Sequence, residues 1–147
     1  MSLELSIVNY ESKLYPDILT LRNEVLRKPI GLDLFEEDLS EDKDQYIIAA
    51  LDQEQVVACL MLKIIDKDTV KFRQMAVDLN YQYQGIGALL VRYAENFCIL
   101  NEYFKIELHA RISAQPFYEK LEYNIIGTEF EEVGIPHIKM VKEFNMR

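Results

Sequence analysis

Apolar and polar positions alternate with a period of two from Leu5 to Tyr10, after which Leu14, Ile18, Leu21 and Val25 recur at the spacing of one helix face. A strand therefore leads into an amphipathic helix. Lys28-Pro29-Ile30-Gly31 breaks that helix, and the acidic stretch from Glu36 to Asp44 reads as a loop or a short surface helix. Tyr46 to Leu51 and Val56 to Ile65 are nearly continuous apolar runs joined by Asp52-Gln53-Glu54, the pattern of adjacent strands in a sheet covered on both faces. Thr69 to Val77 adds a third strand with Val70, Phe72, Gln74 and Ala76 on one face, and the short polar links suggest an antiparallel meander.

Past Gln82 the period changes. Ile86, Leu89, Leu90, Tyr93, Ala94, Phe97 and Cys98 share one side of a helix, with Arg92, Glu95 and Asn96 opposite. Ile106, Leu108 and Ala110 alternate as a strand; Ala114, Phe117, Tyr118 and Leu121 then restore helical spacing behind Ser113 as a candidate cap, with Pro116 in the first turn, where a missing amide hydrogen is harmless. Strands near Asn124 to Phe130 and His137 to Phe144 close the chain around a Gly134-Ile135-Pro136 turn. The order β-α-β-β-β-α-β-α-β-β predicts an α/β protein of the α+β type. No repeat, low-complexity tract or linker interrupts it, so one domain is expected over residues 1–147.

The chemistry concentrates where the third strand of the meander gives way to the long helix. There Gln82-Tyr83-Gln84-Gly85-Ile86-Gly87 opens directly into the helix, whose first amides lack internal acceptors and lie at the positive end of the macrodipole. Gly85 and Gly87 allow unusual backbone angles and a close approach by a phosphate group. A P-loop would need Lys and Ser or Thr after the second glycine, where Ala88 and Leu89 stand; a dinucleotide fingerprint would need a third glycine where Leu90 stands.

Gln82, Gly85 and Gly87 match the cofactor turn Q/R-x-x-G-x-G/A of the GNAT superfamily of N-acetyltransferases, which the sequence resembles. Ala114-Gln115-Pro116-Phe117-Tyr118-Glu119-Lys120-Leu121-Glu122-Tyr123 is similar to the family's second landmark, A-x-x-F-Y-x-K-L-G-F/Y, at the usual distance downstream. The likeness is strongest from about Phe72 to Tyr123 and extends through Ile135-Pro136-His137-Ile138-Lys139-Met140; Glu122 departs from it, standing where the family often has glycine. The resemblance implies an acyl-CoA N-acyltransferase fold, with a mixed, mainly antiparallel central sheet flanked by helices. It further implies an acetyl-CoA-dependent N-acetyltransferase in which a primary amine attacks the thioester directly in a ternary complex, with no metal. A CoA-binding sensor or scaffold without catalysis is the alternative.

By that resemblance, Met75, Ala76 and Val77 would line the pantetheine arm, the Val77 amide polarising the thioester carbonyl, while Gln82, Tyr83, Gln84, Gly85, Ile86, Gly87 and Ala88 would hold the pyrophosphate. Arg111 would lie near the cofactor, and Tyr118 would protonate the departing thiolate. A phenol suits that role, keeping its proton at neutral pH. The strand Phe72 to Val77 contains no carboxylate or histidine, so a base for the amine must come from elsewhere: His109, His137 or a water relay. Arg22 and Arg27 lie on a solvated helix face or meet an anionic group of the substrate.

Composition narrows the partners. The formal net charge is −9 with basic residues scattered singly, which lacks the electrostatic footprint of a nucleic-acid binder and is compatible with a cationic acceptor, a small-molecule or peptide amine. Cys59 and Cys98, lone in apolar runs, have neither disulfide nor zinc spacing and read as buried thiols of a cytoplasmic protein; no apolar run is long enough to cross a bilayer, so no membrane partner is expected. Dimerisation is common among proteins of the resembled family, and the apolar strands leave a homodimer open.

Overall fold

The computed structural model describes residues 2–145; Met1, Met146 and Arg147, the outermost positions of the expected domain, lie outside the described residues. The strands are β1 (Leu3–Val8), β2 (Tyr46–Asp52), β3 (Gln55–Ile64), β4 (Thr69–Val77), β5 (Lys105–Arg111), β6 (Asn124–Glu132) and β7 (Ile135–Glu143). The α-helices are α1 (Tyr15–Arg22), α2 (Ile86–Leu100) and α3 (Gln115–Lys120). Element order is as expected, and the strands form a seven-stranded sheet in the order β1-β2-β3-β4-β5-β7-β6. Two compact units divide the chain, the first running to Lys63 and resuming over Gln74–Ala94, the second comprising Ile64–Arg73 and the chain from Glu95 onward.

In the first unit β1 and β3 both run antiparallel to β2, and the β2–β3 hairpin turns at Gln53 and Glu54, both with positive φ, the handedness a two-residue hairpin loop requires. Ile47 and Ala49, but also Ile48 and Ala50, are buried. Burial on both faces explains why β2 reads as a continuous apolar run. Ile18 and Leu21 of α1 pack on Ile47, Ala49, Cys59, Met61 and Ala76. Gln74 takes φ +54 in the middle of β4, so the alternation expected to carry Val70, Phe72, Gln74 and Ala76 on one face is interrupted there.

The first helix departs from expectation at its end. After Arg22 the backbone widens into a π turn over Asn23–Arg27, and Asn23 Oδ1 accepts the Leu34 amide at 2.8 Å. Arg22 and Arg27 are buried instead of facing solvent: Arg22 donates to Asp42 at 2.8 Å, and Arg27 forks onto Glu37 at 2.6 and 3.3 Å. The acidic stretch 36–44, folded partly as 3-10 turns, thus supplies counter-charges to the helix, because a guanidinium taken out of water needs a hydrogen-bonded partner.

In the second unit β4 pairs in parallel with β5 over Thr69–Phe72 and Lys105–Leu108, and β7 runs antiparallel to both β5 and β6. The β6–β7 turn falls at Val133 and Gly134, with positive φ at both, so Ile135 and Pro136 belong to β7 and not to the turn. The β5–β7 register ends at Arg111 and His137, so Pro136 has no β5 partner to which an amide hydrogen would be missed. Ser113 does not cap α3; Ala114 holds the N-cap position without a side-chain bond, and Pro116 sits in the first turn. Glu95, expected on the polar face of α2, is buried, receiving the Tyr123 hydroxyl at 2.8 Å and Lys142 at 3.0 Å. No helix among the described residues is long and apolar enough to cross a membrane.

Candidate active site

The end of β4 and the loop that follows it are held by the side chains of Gln82, Asp78, Tyr81 and Asp52, all in the first unit. Gln82 Nε2 donates to the Val77 carbonyl at 3.0 Å, while the next amide, Asp78 N–H, donates to Val57 O of β3 at 2.8 Å. The Val77–Asp78 peptide is therefore fixed from both sides. Asp78 Oδ1 accepts the Asn80 amide at 2.9 Å, and Tyr81 donates its hydroxyl to Asp52 at the end of β2 at 2.7 Å. These bonds brace the loop that carries Tyr83 to Gly85.

Positive φ at Tyr83 (+62) and Gly85 (+80) flanks Gln84, an alternation that turns successive amides toward a common point, and α2 follows at once. The first i to i−4 bond of α2 runs from Leu89 to Gly85 O at 3.1 Å, so the amides of Ile86, Gly87 and Ala88 precede the closed helical ladder. A β-carbon on Gly85 would meet nothing within 4 Å, so the demand for glycine there comes from backbone angle. Gly87 is already a helical residue, and its lack of a side chain matters only for what approaches the helix end. Amides so placed, at a helix N-terminus behind a left-handed turn, are of the kind that can receive a phosphate group. Tyr83 is fully exposed and Gln84 reaches only the Asn80 carbonyl, at 3.4 Å.

In the second unit, strict alternation along β5 buries Ile106, Leu108 and Ala110 and leaves Glu107, His109 and Arg111 half-buried on the other face. His109 Nδ1 lies 2.9 Å from Glu132 Oε1, and His137 Nε2 lies 3.8 Å from Glu132 Oε2. His137 Nδ1 is 2.7 Å from the Ile135 carbonyl, which places a proton on that nitrogen. Phe130 meets His109 edge-on at 5.0 Å and stacks on His137 at 6.1 Å. Burial alone would raise the Glu132 carboxyl, but the hydrogen bond to His109 and the charges of His109, His137 and Lys71 hold it below the usual carboxylate range.

Tyr118 is buried on α3 between Phe117 and Tyr123, at 4.9 and 5.9 Å. Burial pushes its phenol up to about 12. Its hydroxyl makes no hydrogen bond among the described residues, unlike that of Tyr123, which Glu95 accepts.

The acetyltransferase (GNAT) domain family matches residues 14–144. The chain belongs to the GNAT acetyltransferase family. Among similar proteins, YyaT of Bacillus subtilis, an uncharacterized protein, is 31% identical over 114 residues, covering 77% of this chain and 76% of its own. An acyl-CoA N-acyltransferase from Pseudomonas aeruginosa superposes with a TM-score of 0.83 at 21% identity, over 96% of this chain and 99% of that one. A GNAT family acetyltransferase from Elizabethkingia anophelis, solved with acetyl-CoA bound, gives 0.71 at 18% identity, over 97% and 98% of the two chains.

Glu122 stands where the resembled family often has glycine at the end of the second landmark helix. Glu122 adopts φ +73 nonetheless, and its amide bonds Glu119 O at 3.0 Å while that of Tyr123 bonds Tyr118 O at 3.1 Å. The exit is thus kept, at some conformational strain. Both thiols are buried, and burial pushes each up to about 12, which leaves neither as a nucleophile near neutral pH. Sequence reasoning missed Glu132 and Asp52, because each finds its partner only through the strand register or the folded loop.

Proposed function

We propose that the protein transfers an acetyl group from acetyl-CoA directly to a primary amine, with the turn from Gln82 to Ala88 holding the pyrophosphate and Met75, Ala76 and Val77 lining the pantetheine arm. One observation carries the reading: a fixed Val77–Asp78 peptide followed by a left-handed turn at Tyr83 and Gly85 that opens into the N-terminus of α2. Gln82 acts by bracing Val77, and the phosphate contacts fall to the backbone of Gly85 to Ala88. The acetyl-CoA bound to the similar Elizabethkingia protein supports the cofactor.

In this reading the amine arrives as an ammonium ion and gives one proton to His109. Its lone pair attacks the thioester carbonyl carbon, the Val77 amide stabilising the oxyanion, a kind of donor whose removal costs about 3–4 kcal/mol in other enzymes. The C–N bond forms, the C–S bond breaks, and the Tyr118 hydroxyl protonates the thiolate. The second nitrogen proton restores the phenol, so that one proton in all leaves for solvent. Two thiols near 12 disfavour an acyl-enzyme and support direct transfer. A pocket of about 540 Å³ in the first unit, lined by Asp17, Glu24, Glu54 and Asp78, supports a cationic acceptor. Buried free thiols suit a reducing compartment, and the reading places the enzyme in the cytoplasm.

Calorimetric titration with acetyl-CoA, desulfo-CoA and ATP tests the site. Saturable binding of both CoA compounds with ATP far weaker is expected; well-folded protein that binds none of them overturns the reading.

A further inference from the structure

The His109–Glu132–His137 array is better organised than two histidines need for packing. Glu132 is half-exposed at the end of β6, yet both its oxygens face imidazoles, one at 2.9 Å and the other at 3.8 Å. The β6–β7 register places Phe130 opposite His137, and the β5–β7 register places Arg111 opposite His137 and Lys139 opposite His109. Three strands are therefore required to assemble it. Lys139 is occupied by Glu107 at 2.8 Å, with Lys71 in register beside Glu107 on β4. The charged neighbours of His109 on this face are thus Glu107, Lys139, Arg111, Lys71, Glu132 and His137.

We propose that Glu132 is a positioning residue that fixes His109 in the Nδ1–H tautomer, leaving Nε2 as the atom that takes the proton from the acceptor amine. A carboxylate only accepts, so the 2.9 Å contact assigns the proton to Nδ1. In the neutral ring the lone pair then lies on Nε2, which has no hydrogen-bond partner among the described residues. His137 donates Nδ1–H to Ile135 O and is buried with its ring stacked on Phe130, and its Nε2 lies 3.8 Å from the second Glu132 oxygen, too far for a hydrogen bond; the proposal gives it no part in proton transfer. The chemistry rests on the acetyltransferase reading; the tautomer does not.

That difference sets the experiment. The chain has two histidines, so long-range proton–nitrogen NMR of labelled protein reports both rings without crowding. In the neutral state His109 is expected as the Nδ1–H tautomer, and Glu132→Ala should shift it largely to Nε2–H, with Glu132→Asp retaining the wild-type form. His109 found as Nε2–H in the wild type, or unchanged in Glu132→Ala, overturns the proposal whether or not the protein binds acetyl-CoA.

The second measurement follows CoA release with two nucleophiles, n-butylamine, charged at neutral pH, and hydroxylamine, neutral there. Loss of a positioned base should lower the butylamine rate about 100-fold in Glu132→Ala, within the range of general-base effects, and leave the hydroxylamine rate within about threefold. Equal losses with both nucleophiles would mean a structural role and sink the proposal. Intact tautomer behaviour in a protein that transfers no acetyl group would instead refute the acetyltransferase reading.

Discussion

The turn before α2 and the strand-end array around His109 solve different problems with different materials. In the turn, the proposed phosphate recognition is made of backbone: Tyr83 and Gly85 are left-handed, and the side chains of Gln82, Asp78 and Tyr81 hold the loop. In the array, the proposed proton transfer would fall to side chains whose backbones are ordinary strand. Backbone recognition tolerates change of side chain but not added bulk at the helix end. A side-chain array tolerates bulk nearby but not the loss of one carboxylate. If that contrast holds, substitutions at the turn should change binding and spare chemistry, while those at the catalytic side chains should do the reverse.

Gly87→Leu gives the largest expected effect. Leucine is a better helix former than glycine by roughly 0.8 kcal/mol, so thermal melting should remain cooperative with an unchanged or higher midpoint. Acetyl-CoA affinity should nevertheless fall about 100-fold or more, equivalent to the loss of some 3 kcal/mol of contacts. Unchanged affinity by calorimetry would remove the helix N-terminus from the site.

Tyr118→Phe probes the other side of the contrast. It should lower kcat about 10- to 100-fold, in the range of general-acid effects, and leave the acetyl-CoA Kd within twofold or so. Because burial pushes this phenol up to about 12, it keeps its proton across the working range, and wild-type kcat should show no basic limb from Tyr118 below about pH 10. The sign for stability follows: a folded-state value raised above the unfolded one contributes stability fully present below about 10 and lost as pH rises toward 12. A kcat for Tyr118→Phe equal to wild type would return the residue to packing alone.

The same contrast explains what could be read from the sequence. Gly85, Gly87 and the period of α2 are local signals, each visible within a dozen residues, and the turn stands where they place it. His109 was visible as a titratable residue, but its partner Glu132 is 23 residues away and reaches it only because β7 runs between β5 and β6. Two acidic residues before a turn look like solvation. Arg22 and Arg27 misled for the same reason, since their counter-charges Asp42 and Glu37 lie in a stretch with no periodicity, and the π turn that directs them inward leaves no mark in composition.

Glu122→Gly tests whether the second landmark is a backbone device too, and it carries the smallest expected effect. Glu122 stands at φ +73, and a β-carbon in that region is strained by roughly 1 kcal/mol. Glycine relieves the strain but enlarges the unfolded ensemble, which offsets part of the gain. A net stabilisation of about 0.5 kcal/mol is expected, seen as a small rise in the urea midpoint with unchanged m-value. Activity should be unaffected, because the Tyr118 and Glu119 carbonyls already accept the exit amides. A loss of stability would show that the glutamate side chain stabilises the exit of α3 by more than its backbone angle costs, and would make this departure from the family pattern a feature of the helix end and not a tolerated irregularity.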